Sequence, residues 1–305
     1  MTNFFLNINF QANWQYVSFG FLIANFVSFY VVKNKIFPAI FLVISWLIAL
    51  ISGVVGVLSI VIILLFGFLI YSFYQKKSSA KYKFLIFFSI FIITILSFVH
   101  LLPSFNNIEA IKNIRLSKNS SDLNLWLNFD KPLIAIFMLF FAYQTPRKLN
   151  DYKKIFLQTG KIFLPLSLVV IGIGMIGKFL VFDPKLPNFN ITSLWLIKIL
   201  FLTIFPEEFF FRFFLQNNII NLLKKSQFFK TKNYQIIGLI FTAIIFGLTH
   251  FSGGFSLVLL AIISGFGYGF VYMRTGYIES AILLHFLINL SHFLFFSYPF
   301  NLAIS

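Results

Sequence analysis

The chain contains no cysteine, which excludes disulfides and thiolate metal sites. Acid is almost as scarce, with eight aspartates and glutamates against 24 lysines and arginines. Asp122, Asp130, Asp151 and Asp183 all fall in connections between apolar runs, so an intramembrane aspartyl pair is not available. No His-Glu-x-x-His zinc motif and no Gly-x-Ser-x-Gly nucleophile elbow occurs. Charged residues make up only 10% of the chain, 59% is hydrophobic, and the mean hydropathy is +0.92. These values lie far from those of a soluble domain. The expected class is all-α, a polytopic transmembrane bundle of about 8–10 helices by the length each span needs.

Apolar runs can be drawn at 15–32, 36–51, 54–74, 83–102, 132–145, 155–181, 191–223, 235–252, 255–273 and 277–297. The runs 36–51 and 132–145 are short, and only Ser52-Gly53 separates the second run from the third. The net charge of +16 would suit nucleic acid, but the basic residues form no patch with interleaved aromatics, so no nucleic-acid partner is expected. Most of them sit in alternate loops, at Lys33 and Lys35, Lys76 to Lys83, Arg147 to Lys154, Lys224 to Lys232, and Arg274. By the positive-inside rule those loops are cytoplasmic and both termini are not. Met1 to Asn13 has no basic residue and no evident cleavage site, and reads as the approach to an uncleaved first span. The abundance of Phe, Ile, Asn and Lys suggests an AT-rich bacterial genome, hence an integral protein of the bacterial cytoplasmic membrane.

Residues 1–187 read as transmembrane helices of unassigned role. His100 ends the fourth run and is expected at the water interface, and 103–131 is the longest polar connection, a loop or a short surface helix. Asp183-Pro184-Lys185-Leu186-Pro187 sets the main boundary, since two prolines in four residues cannot continue a helix.

Residues 188–298 hold the polar groups that suggest chemistry. Pro206-Glu207-Glu208 and Arg212 lie inside an apolar run, where a central charge costs about 2.5–3.5 kcal/mol and faces a bundle interior or a wet cavity. On a helix Glu208 and Arg212, four apart, share a face, while Glu207, five from Arg212, is turned roughly 100° aside. Pro206 removes a backbone donor and opens the helix just before the acids. Phe246-x-x-x-His250 ends the eighth run, and Gly265 and Gly269 form a small-xxx-small pair in the ninth, a sign of close packing. His285 and Asn289 lie on one face of the tenth, with His292 close to the same stripe. A base for water, a partner to hold it and donors for an oxyanion can all be drawn from this set.

Glu-Glu-x-x-x-Arg, Phe-x-x-x-His and His-x-x-x-Asn, in this order on separate helices, resemble the CPBP (CAAX protease and bacteriocin-processing, Abi) family of intramembrane proteases. The likeness covers about 190–298, and it departs from the family where Phe213 follows Arg212 in place of the common glycine. The resemblance implies hydrolysis of a peptide or protein substrate in the lipid bilayer. Glu207 would activate water with help from His250, His285 and Asn289 would stabilise the oxyanion, and Glu208 with Arg212 would hold the site together. Zinc is a further option that the family raises, on Glu207, His250 and His285, and the metal-free reading is preferred. His292 is either a spare ligand or structural. The competing class is a non-proteolytic membrane protein, a transporter or an immunity or scaffold protein that keeps the fold; no internal repeat of the transporter kind is seen.

Overall fold

The computed structural model describes residues 10–75, 79–225 and 233–304, with the side chains of 10–12 and 304 left out. Residues 1–9 of the N-terminal approach and the basic residues Lys76, Lys77, Lys230 and Lys232 lie outside the described residues. Ten helices run through the described chain: α1 (Phe10–Val31), α2 (Ile36–Ile51), α3 (Ser59–Tyr74), α4 (Ala80–Phe98), α5 (Leu133–Phe141), α6 (Leu149–Ile176), α7 (Phe189–Lys225), α8 (Asn233–Leu248), α9 (Gly254–Thr275) and α10 (Ile278–Phe295). Each answers one of the apolar runs drawn from sequence. Among the described residues α4, α6, α7, α9 and α10 are long and apolar enough to cross a membrane, with α9 extended to Phe251. The chain is an integral membrane protein.

Residues 103–131 hold neither a surface helix nor only loop. They form a two-stranded sheet, β1 (Ile108–Arg115) with β2 (Asp122–Leu127). Strand β2 alternates strictly, with Leu123, Leu125 and Leu127 buried and Asp122, Asn124 and Trp126 exposed, the period-two pattern of a strand with one covered face.

The contacts divide the chain into two compact units. The first holds 1–108, 126–145 and 201–206. Within it α1 and α2 pack as a hairpin tied by polar groups in an apolar setting. Asn25 Nδ2 donates to Pro38 O at 2.6 Å and Ser45 Oγ to Ser18 O at 2.7 Å, bonds that hold helices together where no water competes. Helix α5 has nine residues, about 14 Å at 1.5 Å per residue, too short to cross a core of about 30 Å alone. Its first seven residues are all buried. The Lys35 ammonium donates to Leu139 O at 3.4 Å and also to Phe140 O, so a cation caps the last turn, where the helix dipole is negative. His100 has a positive φ of 58° and a half-buried side chain with Nδ1 3.9 Å from the buried carboxylate of Asp130. It faces a protein partner as well as the surface.

The second unit holds 109–125, 146–200 and 207–305. Helix α9 is its centre, packed by α6, α8 and α10. The break at Asp183–Pro187 is extended and tied to the end of α10: Asp183 N donates to Phe295 O at 2.9 Å, Ser297 N to Val181 O at 2.9 Å, and the Lys185 ammonium to Phe296 O. Burial lowers the pKa of Lys185 and the carboxylate of Asp183 pulls it back up. Beside this tie Trp195 stacks on Phe293 at 4.0 Å and donates to Tyr298 Oη at 2.9 Å. His292 packs edge-on against Tyr298, and its Nε2 meets Ser297 O at 3.0 Å. His292 is therefore part of this aromatic clasp, and the spare-ligand reading falls away.

Candidate functional site

Helix α7 is not uniformly wound. Lys198–Ile204 and Phe209–Gln216 are π-helical, with i→i+5 hydrogen bonds, on either side of the single α-turn Phe205–Glu208. Pro206 cannot donate to Leu202, and the widened winding absorbs that loss where the sequence suggested an open break. Such π segments are frequent at functional sites. Here they present Glu207, Glu208 and Arg212 inward. Glu207 is 7% exposed, and Glu208 and Arg212 are 0% exposed.

Glu208 is the hub. Its Oε2 accepts from Arg212 Nε at 3.0 Å, the pair that the four-residue spacing predicts. Its Oε1 lies 2.8 Å from His285 Nδ1, seventy-seven positions away on α10. A carboxylate can only accept, so Nδ1 carries the proton and Nε2 is presented away from Glu208. The imidazole is held flat by Tyr268 of α9, stacked at 4.4 Å and 15°. Tyr268 is hydrogen-bonded to Ser264 and feels the charges of Glu208, Arg212 and Glu207.

Phe246 joins the remaining pieces. Its ring lies 4.9 Å from the Arg212 guanidinium, 5.8 Å and edge-on from His285, and 4.8 Å from His250. His250 itself is half-buried, two residues past Leu248 at the end of α8, with Nδ1 2.9 Å from Phe246 O. From the run lengths His250 and His285 stand at different depths. The structure brings both histidines to one ring, that of Phe246. A 3₁₀ turn at Phe251–Gly253 and Gly254, with φ of 82°, then reverse the chain into α9. Asn289 is half-buried, one turn beyond His285 on α10. Thus Glu208, Arg212 and His285 touch directly, and His250 joins through an aromatic ring. Tyr268 and the central role of Phe246 were missed from sequence; Phe246 was visible only as the first letter of Phe-x-x-x-His.

The small-xxx-small pair packs against polar side chains of α7. A Cβ on Gly265 would lie 2.8 Å from Phe246 Cδ1 and 3.3 Å from Arg212 Nη2, and one on Gly269 would collide with Gln216 Oε1 and Leu239. Gly265→Val is therefore expected to cost about 1–3 kcal/mol, the range for overpacking. Thermal unfolding in detergent measures this, and an unchanged midpoint would refute the close approach.

Residues 189–291 match the family model described as type II CAAX prenyl endopeptidase, Rce1-like. This segment is similar to the Rce1-like domains of the CAAX protease family. No curated protein and no solved structure matches the chain significantly. The Rce1-like segment spans both π stretches of α7, all of α8 and α9, and α10 as far as Ser291, and so includes every residue of the cluster described above. Among the described residues no group of three His, Cys, Asp or Glu side chains is spaced to hold a metal ion. Glu207, His250 and His285 are not among such groups.

Proposed function

We propose that this chain is an intramembrane endopeptidase that hydrolyses a peptide bond of a membrane-associated peptide or protein, with water activated by Glu207. The observation that carries the reading is Glu208 held between Arg212 at 3.0 Å and His285 at 2.8 Å inside an Rce1-like segment. A carboxylate that fixes one ring nitrogen of a histidine while its own charge is balanced by an arginine leaves the second ring nitrogen oriented for a reacting group. Glu207, adjacent in the chain and buried, supplies the base.

In this scheme Glu207 takes a proton from water as the oxygen attacks the scissile carbonyl carbon. The tetrahedral oxyanion is met by His285 Nε2 and Asn289 Nδ2. Protonated on both nitrogens, His285 donates through Nε2 and is stabilised through Nδ1 by Glu208. His250 assists Glu207 from the half-exposed end of α8. The proton then passes to the leaving amine as the C–N bond breaks. Preorganised donors of this kind contribute about 10²–10³ in rate each.

The test is the purified chain in proteoliposomes with a membrane-tethered peptide reporter. Cleavage with no dissipation of an imposed ion or solute gradient is expected. Flux without cleavage of any reporter tried, prenylated CAAX peptides included, would favour the transporter reading.

A further inference from the structure

Gln216 lies one turn beyond Arg212 at the end of the π stretch Phe209–Gln216 and is 0% exposed. Its Nε2 donates to Gly269 O at 3.2 Å. Its Oε1 has no protein hydrogen-bond partner, and neither have Nη1 and Nη2 of Arg212, all of them buried. These atoms face one strip of α9. Arg212 Nη2 is the neighbour of Gly265 and Gln216 Oε1 the neighbour of Gly269, and those glycines are themselves one turn apart. Four residues along a helix advance about 6 Å, close to the span of two hydrogen bonds through one water. Idle donors and an idle acceptor thus line one turn of α9 in a place closed to bulk solvent.

The grip of Arg212 on Glu208 is single. Only Nε is bonded, to Oε2, and Oε1 is taken by His285. A guanidinium and a carboxylate commonly close in a two-pronged pair that uses both oxygens. In this site that pairing would take the oxygen that anchors His285. Something must hold the outer nitrogens of Arg212 away from it.

Resting on the hydrolytic reading above, we infer that Gln216 is a positioning residue of the site: through a bound water its Oε1 engages the outer nitrogens of Arg212, keeps the Arg212–Glu208 contact single, and so reserves Glu208 Oε1 for His285. Gln216 touches no reacting atom. A residue that merely packed α7 on α9 would act through Nε2 and Gly269, so the two roles depend on opposite ends of one amide. They can be separated by substitution.

Gln216→Glu keeps an acceptor for Arg212 and gives up the amide donor, whereas Gln216→Met keeps the length and loses both. Reporter cleavage in proteoliposomes is measured for each, together with the Nδ1 proton of His285 in ¹⁵N-edited NMR of the protein in nanodiscs, assigned with His285→Gln. Gln216→Met is expected to lower kcat by about tenfold to a hundredfold with KM unchanged, as misplacement of a reacting group does, and to shift or lose the His285 Nδ1 signal. Gln216→Glu is expected to stay within about threefold of wild type and to keep the signal, since one acceptor replaces another at the same reach. Equal behaviour of the two variants, or a change confined to the melting temperature, overturns the inference. Should Gln216→Met fail to accumulate, Gln216→Asn, which draws the acceptor back by one methylene, is read in the same way. If the wild type cleaves no reporter, the hydrolytic reading fails, while the NMR comparison still decides what Gln216 does.

Discussion

Glu207→Gln is expected to lower kcat by about 10²–10⁴, the contribution of a positioned general base, while the melting temperature and KM stay near those of the wild type. Glutamine keeps the shape of the side chain but cannot take a proton from water. Glu207 lies on the short α-turn between the two π stretches and is not one of the atoms that tie Arg212 and His285, so its loss of charge leaves that tie standing. Abundance and melting temperature in detergent check the fold, and initial rates on the tethered reporter check the chemistry. Activity within tenfold of wild type would remove Glu207 from the role of base and leave His250 as the group to test next.

At Glu208 the two substitutions separate folding from catalysis. Glu208→Ala removes both acceptors at once, leaving a fully buried arginine and a buried histidine without their partner. Breaking a buried ion pair in this way costs about 3–5 kcal/mol, a large share of the 5–15 kcal/mol by which domains are commonly stable, so a sharp fall in accumulated, folded protein is expected. Glu208→Gln offers one oxygen and one NH₂ where two donors had been met by two acceptors. With the oxygen kept for Arg212, the amide NH₂ faces His285 Nδ1, which must give up its proton to accept, and the tautomer inverts. That tautomer still donates from Nε2, but as a neutral imidazole with no carboxylate behind it, so the oxyanion meets a weaker donor. A loss of up to about 10²–10³ in kcat, the range for one oxyanion donor, is the expected result in a folded Glu208→Gln protein. Near-normal turnover would show that His285 does not depend on Glu208 for its orientation.

Much of this was legible in the chain before any coordinates. Long apolar runs mark helices because the backbone must satisfy itself in lipid, and each of the ten runs holds a helix. The Glu208–Arg212 contact follows from a spacing of four on a single helix. What could not be read is the contact between Glu208 and His285, which depends on how α7 and α10 meet. The π winding also escaped, since it reflects packing around Pro206 as well as local preference. Tyr268 was hidden by company: in a chain that is 21% aromatic, one more ring carries no signal until it is seen stacked on an imidazole. The strand at 122–127 carries a legible signal in Asp-Leu-Asn-Leu-Trp-Leu, whose period-two alternation contains no uninterrupted hydrophobic stretch.

The two bonds of Glu208 differ in when they can arise. Arg212 is a neighbour on the same helix, so opposite charges can cancel as soon as α7 winds, which eases its entry into lipid. His285 can join only after α10 has docked beside α7. Until that late step the imidazole has no anchor, so the proposed hydrolytic site stays incomplete until α10 is in place.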